Sequence, residues 1–249
     1  ETCKISNFTG FFNFKNRFMI QQHLAQIYKA DFRGVNACEN FKRLSTFNFE
    51  KYQEDSRKPF GALQVFNEEI LAPKHRQTTV VASDREVFIL PIFGGIEYKD
   101  NLGNENFIRV EQIKHIAAQK GISFELCNPF ENENVNYLQM EFDAKNQFFE
   151  SDSKLFDFDL TQKNQLISLF EIANALGFIG IYEGRKEGLY KLKNPSNGIF
   201  VFVINGAFEV ENRLLEARDG LRIEQIEAIE WEALSADALL IVLEIPSDK

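Results

Sequence analysis

Ile199-Phe200-Val201-Phe202-Val203-Ile204 is the stretch whose reading decides the fold class. Its β-branched and aromatic residues suit an extended strand, and successive side chains of a strand point to opposite faces. Both faces are apolar here, which a sheet with one wetted face would not tolerate. The run therefore predicts a strand covered twice: one face lines a barrel and the other packs against a second barrel. Asn205-Gly206 follows with tight-turn chemistry, then Ala207–Glu211 as a strand, and the chain closes on the apolar run Ala238–Pro246.

Working backward, short strands separated by turn residues account for most of the chain. Leu63–Phe66, Thr78–Ala82, Glu86–Phe93, Ile96–Lys99 and Phe107–Val110 follow one another closely, then Ile113–Ala118, Ser123–Asn128 and Asn136–Phe142. Gly94-Gly95, Asp100–Gly103, Gln119–Gly121 and Asn128-Pro129 punctuate them with turn chemistry. Strands of this length at this spacing argue for a sandwich or barrel. The polar, acidic stretch Asn146–Asn164 carries no sustained periodicity and is read as the boundary between two units. Strands then resume at Gln165–Ile172, Gly177–Tyr182 and Gly188–Leu192. Ile223, Ile226 and Ile229 recur with a helical interval, whereas Ile229, Trp231 and Ala233 alternate with Glu230 and Glu232; a short turn followed by a strand is expected. The best short helix is His23–Ala30.

Composition limits the function. Lys and Arg number 28 against 37 Asp and Glu, a net charge of 28 − 37 = −9, so the clustered basic surface needed to bind nucleic acid is not expected. Hydrophobic residues at 44% and charged residues at 26% argue against intrinsic disorder. No apolar run is long enough to span a bilayer, and no secretory leader pattern opens the chain, since Lys15 and Arg17 interrupt its Phe-rich start. Cys3, Cys38 and Cys127 are odd in number and far apart, fitting neither a disulfide framework nor a zinc site. A cytoplasmic protein with reduced thiols is expected; in that setting the acceptor triplet Asn7-Phe8-Thr9 carries no meaning.

Longer motifs resemble a known family. Phe60–Pro73 (FGALQVFNEEILAP) and Glu86–Asn104 (EVFILPIFGGIEYKDNLGN) are similar to the strand, turn and hairpin pattern of pirin-like proteins. Ala25–Gly34 and Arg43–Phe49 look like that family's opening strands. Ile204–Val210, Leu214–Ile223 and Glu232–Pro246 look like its second half. The resemblance implies an all-β bicupin, two tandem jelly-roll barrels with few short helices. The expected layout is an extension over 1–18, an N-terminal barrel over 19–150 and a C-terminal barrel over 151–249. The extension's aromatics Phe8, Phe11, Phe12, Phe14 and Phe18 should dock on a barrel or a partner.

The family's chemistry sits in its first barrel, where H-x-H on one strand and H-x-E on another hold iron or a similar metal; some members cleave quercetin with dioxygen. Residues i and i+2 share a strand face, so two such pairs can converge four ligands on one ion. Aligned on the hairpin Gly94–Gly103, the H-x-H pair falls on Val80 and Ala82; aligned on Lys120–Asn128, the H-x-E pair falls on Phe124 and Leu126. None of these side chains offers a lone pair. The three histidines, His23, His75 and His115, are expected to be surface or locally bonded groups and not ligands. Glu86 could reach the barrel mouth, though a strand-end carboxylate beside Asp84 and Arg85 is the plainer expectation.

Val80, Ala82, Phe124 and Leu126 could line a dry pocket for a small apolar ligand; a filled core is the favoured alternative. Cys127 could be a redox thiol if a cation lowered its pKa, but an inert thiol is favoured. Gly184–Gly188 reads as a hairpin turn and not a phosphate loop, and Arg218-Asp219-Gly220 as a turn fixing a strand connection. No local nucleophile motif such as G-x-S-x-G is present. The expectation is a bicupin with no metal cofactor and no dioxygenase chemistry, a non-catalytic binding or regulatory protein that takes a protein partner or small apolar molecule. The alternatives are a quercetin 2,3-dioxygenase-like or metal-independent cupin enzyme, and an oligomeric or redox-responsive structural protein.

Overall fold

A computed structural model of the chain describes residues 24–144, 151–173 and 175–246. The chain forms β1 (Leu24–Tyr28), β2 (Gly34–Ala37), β3 (Phe41–Ser45), β4 (Leu63–Leu71), β5 (Arg76–Val80) and β6 (Arg85–Phe93). It continues through β7 (Ile96–Asp100), β8 (Glu105–Ile108), β9 (Gln112–Ala118), β10 (Ser123–Cys127), β11 (Val135–Asp143) and β12 (Asp152–Asp157). The later strands are β13 (Ile167–Ile172), β14 (Ala175–Tyr182), β15 (Glu187–Lys191), β16 (Asn197–Asn205) and β17 (Ala207–Val210). They end with β18 (Arg213–Glu216), β19 (Gly220–Glu224), β20 (Ala228–Ala233) and β21 (Ala238–Pro246). Among the described residues the helical content is two 3-10 turns, Ala30–Phe32 and Asp55–Arg57, and no helix is long and apolar enough to cross a membrane.

These strands build four stacked sheets with three apolar layers between them. The first barrel faces a four-stranded sheet, β5-β10-β7-β8, against a seven-stranded one, β12-β9-β6-β11-β4-β3-β2. The second faces β15-β20-β17-β18 against β1-β19-β16-β21-β14-β13. β16 shows why the sequence demanded this: Ile199, Val201 and Val203 enter the second barrel's core, while Phe200, Phe202 and Ile204 enter the layer between barrels. That middle layer is aromatic. Phe66 sits 5.1 Å from Phe200 and 4.6 Å from Phe202, and Phe88 stacks on Phe170 at 3.9 Å. Flat rings pack closely between two pleated faces and bury much apolar area each, and eight of the chain's 26 phenylalanines are buried in this layer.

Several sequence expectations are corrected. The segment expected as a helix at its start forms β1 over Leu24–Tyr28, His23 lying outside the described residues. A helix of about two turns is marginal in water, whereas five residues here pair with β19, from Leu24↔Glu224 to Tyr28↔Gly220. β1 therefore belongs to the second barrel's sheet although it precedes the first barrel in sequence. Conversely, β12 lies in the supposed bridge Asn146–Asn164 but pairs with β9 of the first barrel. Each barrel thus takes an edge strand from beyond the expected 150/151 boundary, because an unpaired sheet edge offers hydrogen bonds to whichever strand can reach it. Ile223 lies on β19 and Ile226 in a turn, while Ile229, Trp231 and Ala233 lie on β20, and all five are buried in the second core. The expected extension, residues 1–18 with its phenylalanines, lies outside the described residues.

The turn Arg218-Asp219-Gly220 secures the crossing strand. Asp219, buried, accepts bonds from Lys29 Nζ at 2.5 Å and the Ala30 backbone N–H at 2.8 Å. Arg218 reaches across the barrel interface to Glu68 Oε1 at 2.8 Å, where Asn136 also donates at 2.9 Å, while Arg33 donates to Glu68 Oε2 at 2.8 Å. Burial alone would raise the Glu68 pKa; the Arg218 charge and the bonds from Arg33, Arg218 and Asn136 outweigh it and hold the carboxyl below its ordinary value.

Candidate functional site

The four positions singled out in sequence do not converge. β5 pairs with β10 so that Val80 lies opposite Ser123, Thr79 opposite Phe124 and Gln77 opposite Leu126. Residues directly opposite share a face, and Phe124 and Leu126 point inward, each 1% exposed. Val80 is 64% exposed and Ala82 is exposed, so both point outward. The expectation that these four residues line one interior is therefore corrected: the inward positions on this stretch belong to Gln77, Thr79 and Val81, one residue out of step. A shift of one residue along a strand exchanges its faces. Phe124 stacks against Tyr98 with ring centres 6.0 Å apart, and both pack with Leu126, Ile96, Ile122 and Val81 in the first barrel's core.

The described residues do not fit the metal centre that the resemblance implies. Among the described residues, no group of three or more His, Cys, Asp or Glu side chains could hold a metal ion. His115 faces away from the barrel interior; its Nε2 lies 2.6 Å from Glu86 Oε2 and its ring stacks on Phe88 at 4.7 Å. Glu86 is thus engaged by His115. His75 lies in the turn before β5, where its carbonyl accepts from the Asn128 backbone N–H at 3.0 Å. Cys127 is buried on the outer face of β10, beside Arg76, Glu97 and Glu125. Burial pushes its thiol pKa up despite the opposing charge of Arg76, and Glu97 and Glu125 push the same way, which disfavours the reactive thiolate.

Lys114 shows how the apolar half of this barrel handles a charge. It is 1% exposed, donates to Asn106 Oδ1 at 2.6 Å and Ser153 Oγ at 3.0 Å, and stands 4.7 Å above the Tyr98 ring. Burial lowers its pKa, while Asp100 and Asp152 pull the other way. Tyr98 in turn donates to Asp100 Oδ2 at 2.8 Å. No buried side-chain polar atom of this group lacks a partner, so it reads as a closed structural network.

The other half of the barrel is different, and sequence reasoning missed it. On the concave face of β2, β3, β4 and β11 two polar rows run side by side. In the first, Asn36 faces Arg43, Arg43 faces Glu69 and Glu69 faces Tyr137. Glu69, fully buried, accepts from Arg43 Nε and from the Tyr137 hydroxyl, both at 2.5 Å. Burial, then the Glu69 charge, pushes the Tyr137 pKa well up, so it stays a hydroxyl donor. In the second row, Gly34 faces Ser45, Ser45 faces Asn67 and Asn67 faces Gln139. Asn67 and Gln139 are each 1% exposed, yet both polar atoms of Asn67 and the Oε1 of Gln139 have no partner. Gln139 Nε2 donates to Glu141 at 2.7 Å, whose carboxyl pKa burial raises.

A cleft of about 310 Å³ opens onto the outer end of both rows. Gly34, Arg43 and Ser45 form its floor, and Phe49, Glu50 and Tyr52 of the following loop form its wall. The Tyr52 ring occupies the space a Gly34 side chain would need, and its hydroxyl donates to the Phe32 carbonyl at 2.9 Å. Phe49 lies 4.7 Å from the Arg43 guanidinium. The signal was present in the sequence: Asn67 and Glu69, like Gln139 and Glu141, put polar groups at i and i+2 of strands otherwise rich in apolar residues.

Comparison with known proteins agrees with this architecture. Residues 174–245 match the family described as the quercetinase C-terminal cupin domain. A putative quercetin 2,3-dioxygenase of Pasteurella multocida is 27% identical over 95 residues, 38% of this chain and 41% of the relative's length. The crystal structure of YhhW from Escherichia coli superposes with a TM-score of 0.82 at 19% identity, covering 90% of this chain and 99% of that one. The crystal structure of the bacterial pirin YhhW from Escherichia coli in complex with nickel(II) gives 0.80 at 19% identity over 90% and 100% of the two chains. A quercetin 2,3-dioxygenase from Acinetobacter baumannii gives 0.70 at 15% identity over 90% of this chain and 80% of that one.

Proposed function

We propose that this chain, a pirin-like bicupin, is a binding protein and not a metal-dependent dioxygenase. The carrying observation is the set of side chains at the positions matched to the family's ligand motif. Val80 and Ala82 point out of the barrel, and Phe124 and Leu126 point in but are enclosed by Tyr98, Ile96, Ile122 and Val81. Hydrocarbon side chains supply no electron pair to an ion, and the enclosure supports a filled core over a dry apolar pocket at those positions. The unpartnered buried amides of Asn67 and Gln139 lie on the face of β2–β3–β4–β11 onto whose outer end the cleft opens.

Two measurements test this. Elemental analysis of the purified full chain is expected to find iron, nickel, manganese, copper and zinc well below one equivalent. Quercetin consumption under oxygen, with each metal supplied in turn, is expected not to exceed that of the free metal. One bound metal per chain together with quercetin turnover would overturn the proposal.

A further inference from the structure

We propose that a second cleft, between the turns Ala30–Phe32 and Asp55–Arg57, binds a small aromatic monocarboxylate through Arg57 and Arg33. The cleft has a volume of about 400 Å³ and is lined by Phe32, Arg33, Tyr52, Glu54, Ser56 and Arg57, all outside the named strands. Its size is ordinary for a small-molecule site. The site starts from a buried cation. Three arginines are buried among the described residues, Arg33, Arg43 and Arg57. Arg43 meets Glu69 at 2.5 Å and Glu50 at 3.0 Å, and Arg33 meets Glu68 at 2.8 Å. Arg57, 6% exposed, meets no carboxylate among the described residues. Its Nη1 and Nη2 donate to the carbonyls of Thr46 and Lys29 at 3.4 and 3.3 Å, longer than the usual N···O distance. Its guanidinium also stands 5.3 Å from the centre of the Tyr28 ring. Neutral carbonyls and a ring offset a buried charge less than a carboxylate does.

One donor on each arginine remains for a ligand. Arg33 uses Nη1 on Glu68 and Nε on the Ala30 carbonyl at 3.4 Å, which leaves Nη2; Arg57 keeps Nε. Neither nitrogen is a buried atom without a partner, so both reach solvent, and the open space these two residues share is the cleft. Burial raises the Tyr52 pKa, the Arg57 charge opposes it and the Glu54 charge adds to it; both charges therefore lie within electrostatic reach of the Tyr52 hydroxyl. One N–H from each guanidinium suits the two oxygens of a single carboxylate. Arg218 shares Glu68 with Arg33, so in and behind the cleft three guanidiniums face two carboxylates, Glu68 and Glu54. The one positive charge left over matches a monoanion better than a dianion. The ring comes from Phe32, 71% exposed although Tyr52 holds its carbonyl at 2.9 Å. An exposed ring on a fixed backbone gains by stacking on another. The site uses none of Val80, Ala82, Phe124 or Leu126 and stands whether or not the barrel holds a metal.

The test uses the full chain at neutral pH, with ligand-detected saturation-transfer NMR followed by calorimetry. Benzoate is the probe, benzamide its uncharged counterpart, acetate the carboxylate without a ring and inorganic phosphate the anion of higher charge. Benzoate is expected to bind with a millimolar or tighter Kd, and each of the others about tenfold more weakly or not at all. Arg57→Gln is expected to weaken benzoate about tenfold or more. Glu54→Gln, which removes the lining anion, is expected to tighten it about twofold, and Phe32→Ala to weaken it about threefold. Glu54 and Phe32 are exposed, so these two variants decide if Arg57→Gln does not fold. No benzoate bound to the wild-type chain, benzamide bound equally well, or phosphate bound more tightly overturns the proposal. A Kd unchanged in the folded variants overturns it as well, and leaves Arg57 a structural cation held by two carbonyls and Tyr28. The metal and quercetin assays report separately on the absence of dioxygenase activity, so either proposal can fail alone.

Discussion

Substitution of Glu68 by Gln removes the one negative charge between two guanidiniums at the junction of the barrels. Glu68 lies on β4, and its side chain is 5% exposed. It meets Arg33, 6% exposed, and Arg218, 26% exposed, each at 2.8 Å. Breaking a buried pair from one side typically costs about 3–5 kcal/mol, because the remaining charge stays buried and unpaired. Arg218 is partly wetted and Gln still accepts one bond, so the lower end, about 3 kcal/mol, applies. For a chain of this length about 1 kcal/mol moves Tm by roughly 2–4 °C, which gives a fall of about 6–12 °C. The pH dependence supplies an independent check. Glu68 has a folded pKa below the ordinary glutamate value of 4.5, so its contribution is complete above that value and is lost as pH falls through the folded pKa. Calorimetric scans of wild type and Glu68→Gln should therefore show a full Tm gap at neutral pH that narrows below about pH 4.5. A gap under about 2 °C at neutral pH, or one unchanged at acid pH, would refute the assignment of Glu68 as the clamp between barrels.

Two further predictions test the faces of the strands. Val80→His and Ala82→His should each change stability by no more than about 0.5 kcal/mol, as exposed substitutions do, whereas Phe124→Ala should cost about 3–5 kcal/mol; urea titrations that rank them the other way would show the β5 register to be wrong. Iodoacetamide with peptide mass mapping should label the exposed Cys38 well before the buried Cys127, whose thiol burial holds in its protonated form; faster labelling of Cys127, or peroxide oxidation confined to it, would restore its candidacy as a redox thiol.

Much of the architecture could be read from single strands. Ile199–Ile204 required cover on two sides, and the structure gives it one barrel core and one inter-barrel layer. The alternation of Ile229, Trp231 and Ala233 gave β20 and its inward face. These features depend only on the two-residue period of a strand, which is written in the order of residues. The edge strands were harder to read. β12 (DSKLFD) mixes acidic, basic, polar and apolar residues without a period of two, so nothing local distinguishes it from a polar linker or says which barrel it joins.

The site was hidden for a related reason. Aligning motifs put Val80 and Ala82 where inward ligands would stand, but the pairing with β10 sets them on the outer face. Gly34, Ser45, Asn67 and Gln139 are scattered over more than a hundred positions of the chain and become a row only through three separate registers. The sequence by itself determined the strand content, the two-sided burial of Ile199–Ile204 and the hydrocarbon character of the motif positions. Tertiary structure alone decided which barrel takes each edge strand, which way β5 faces and which polar groups meet. Alternation within a strand is local chemistry, whereas register between strands is set by hydrogen-bond pairing and packing across the whole sheet.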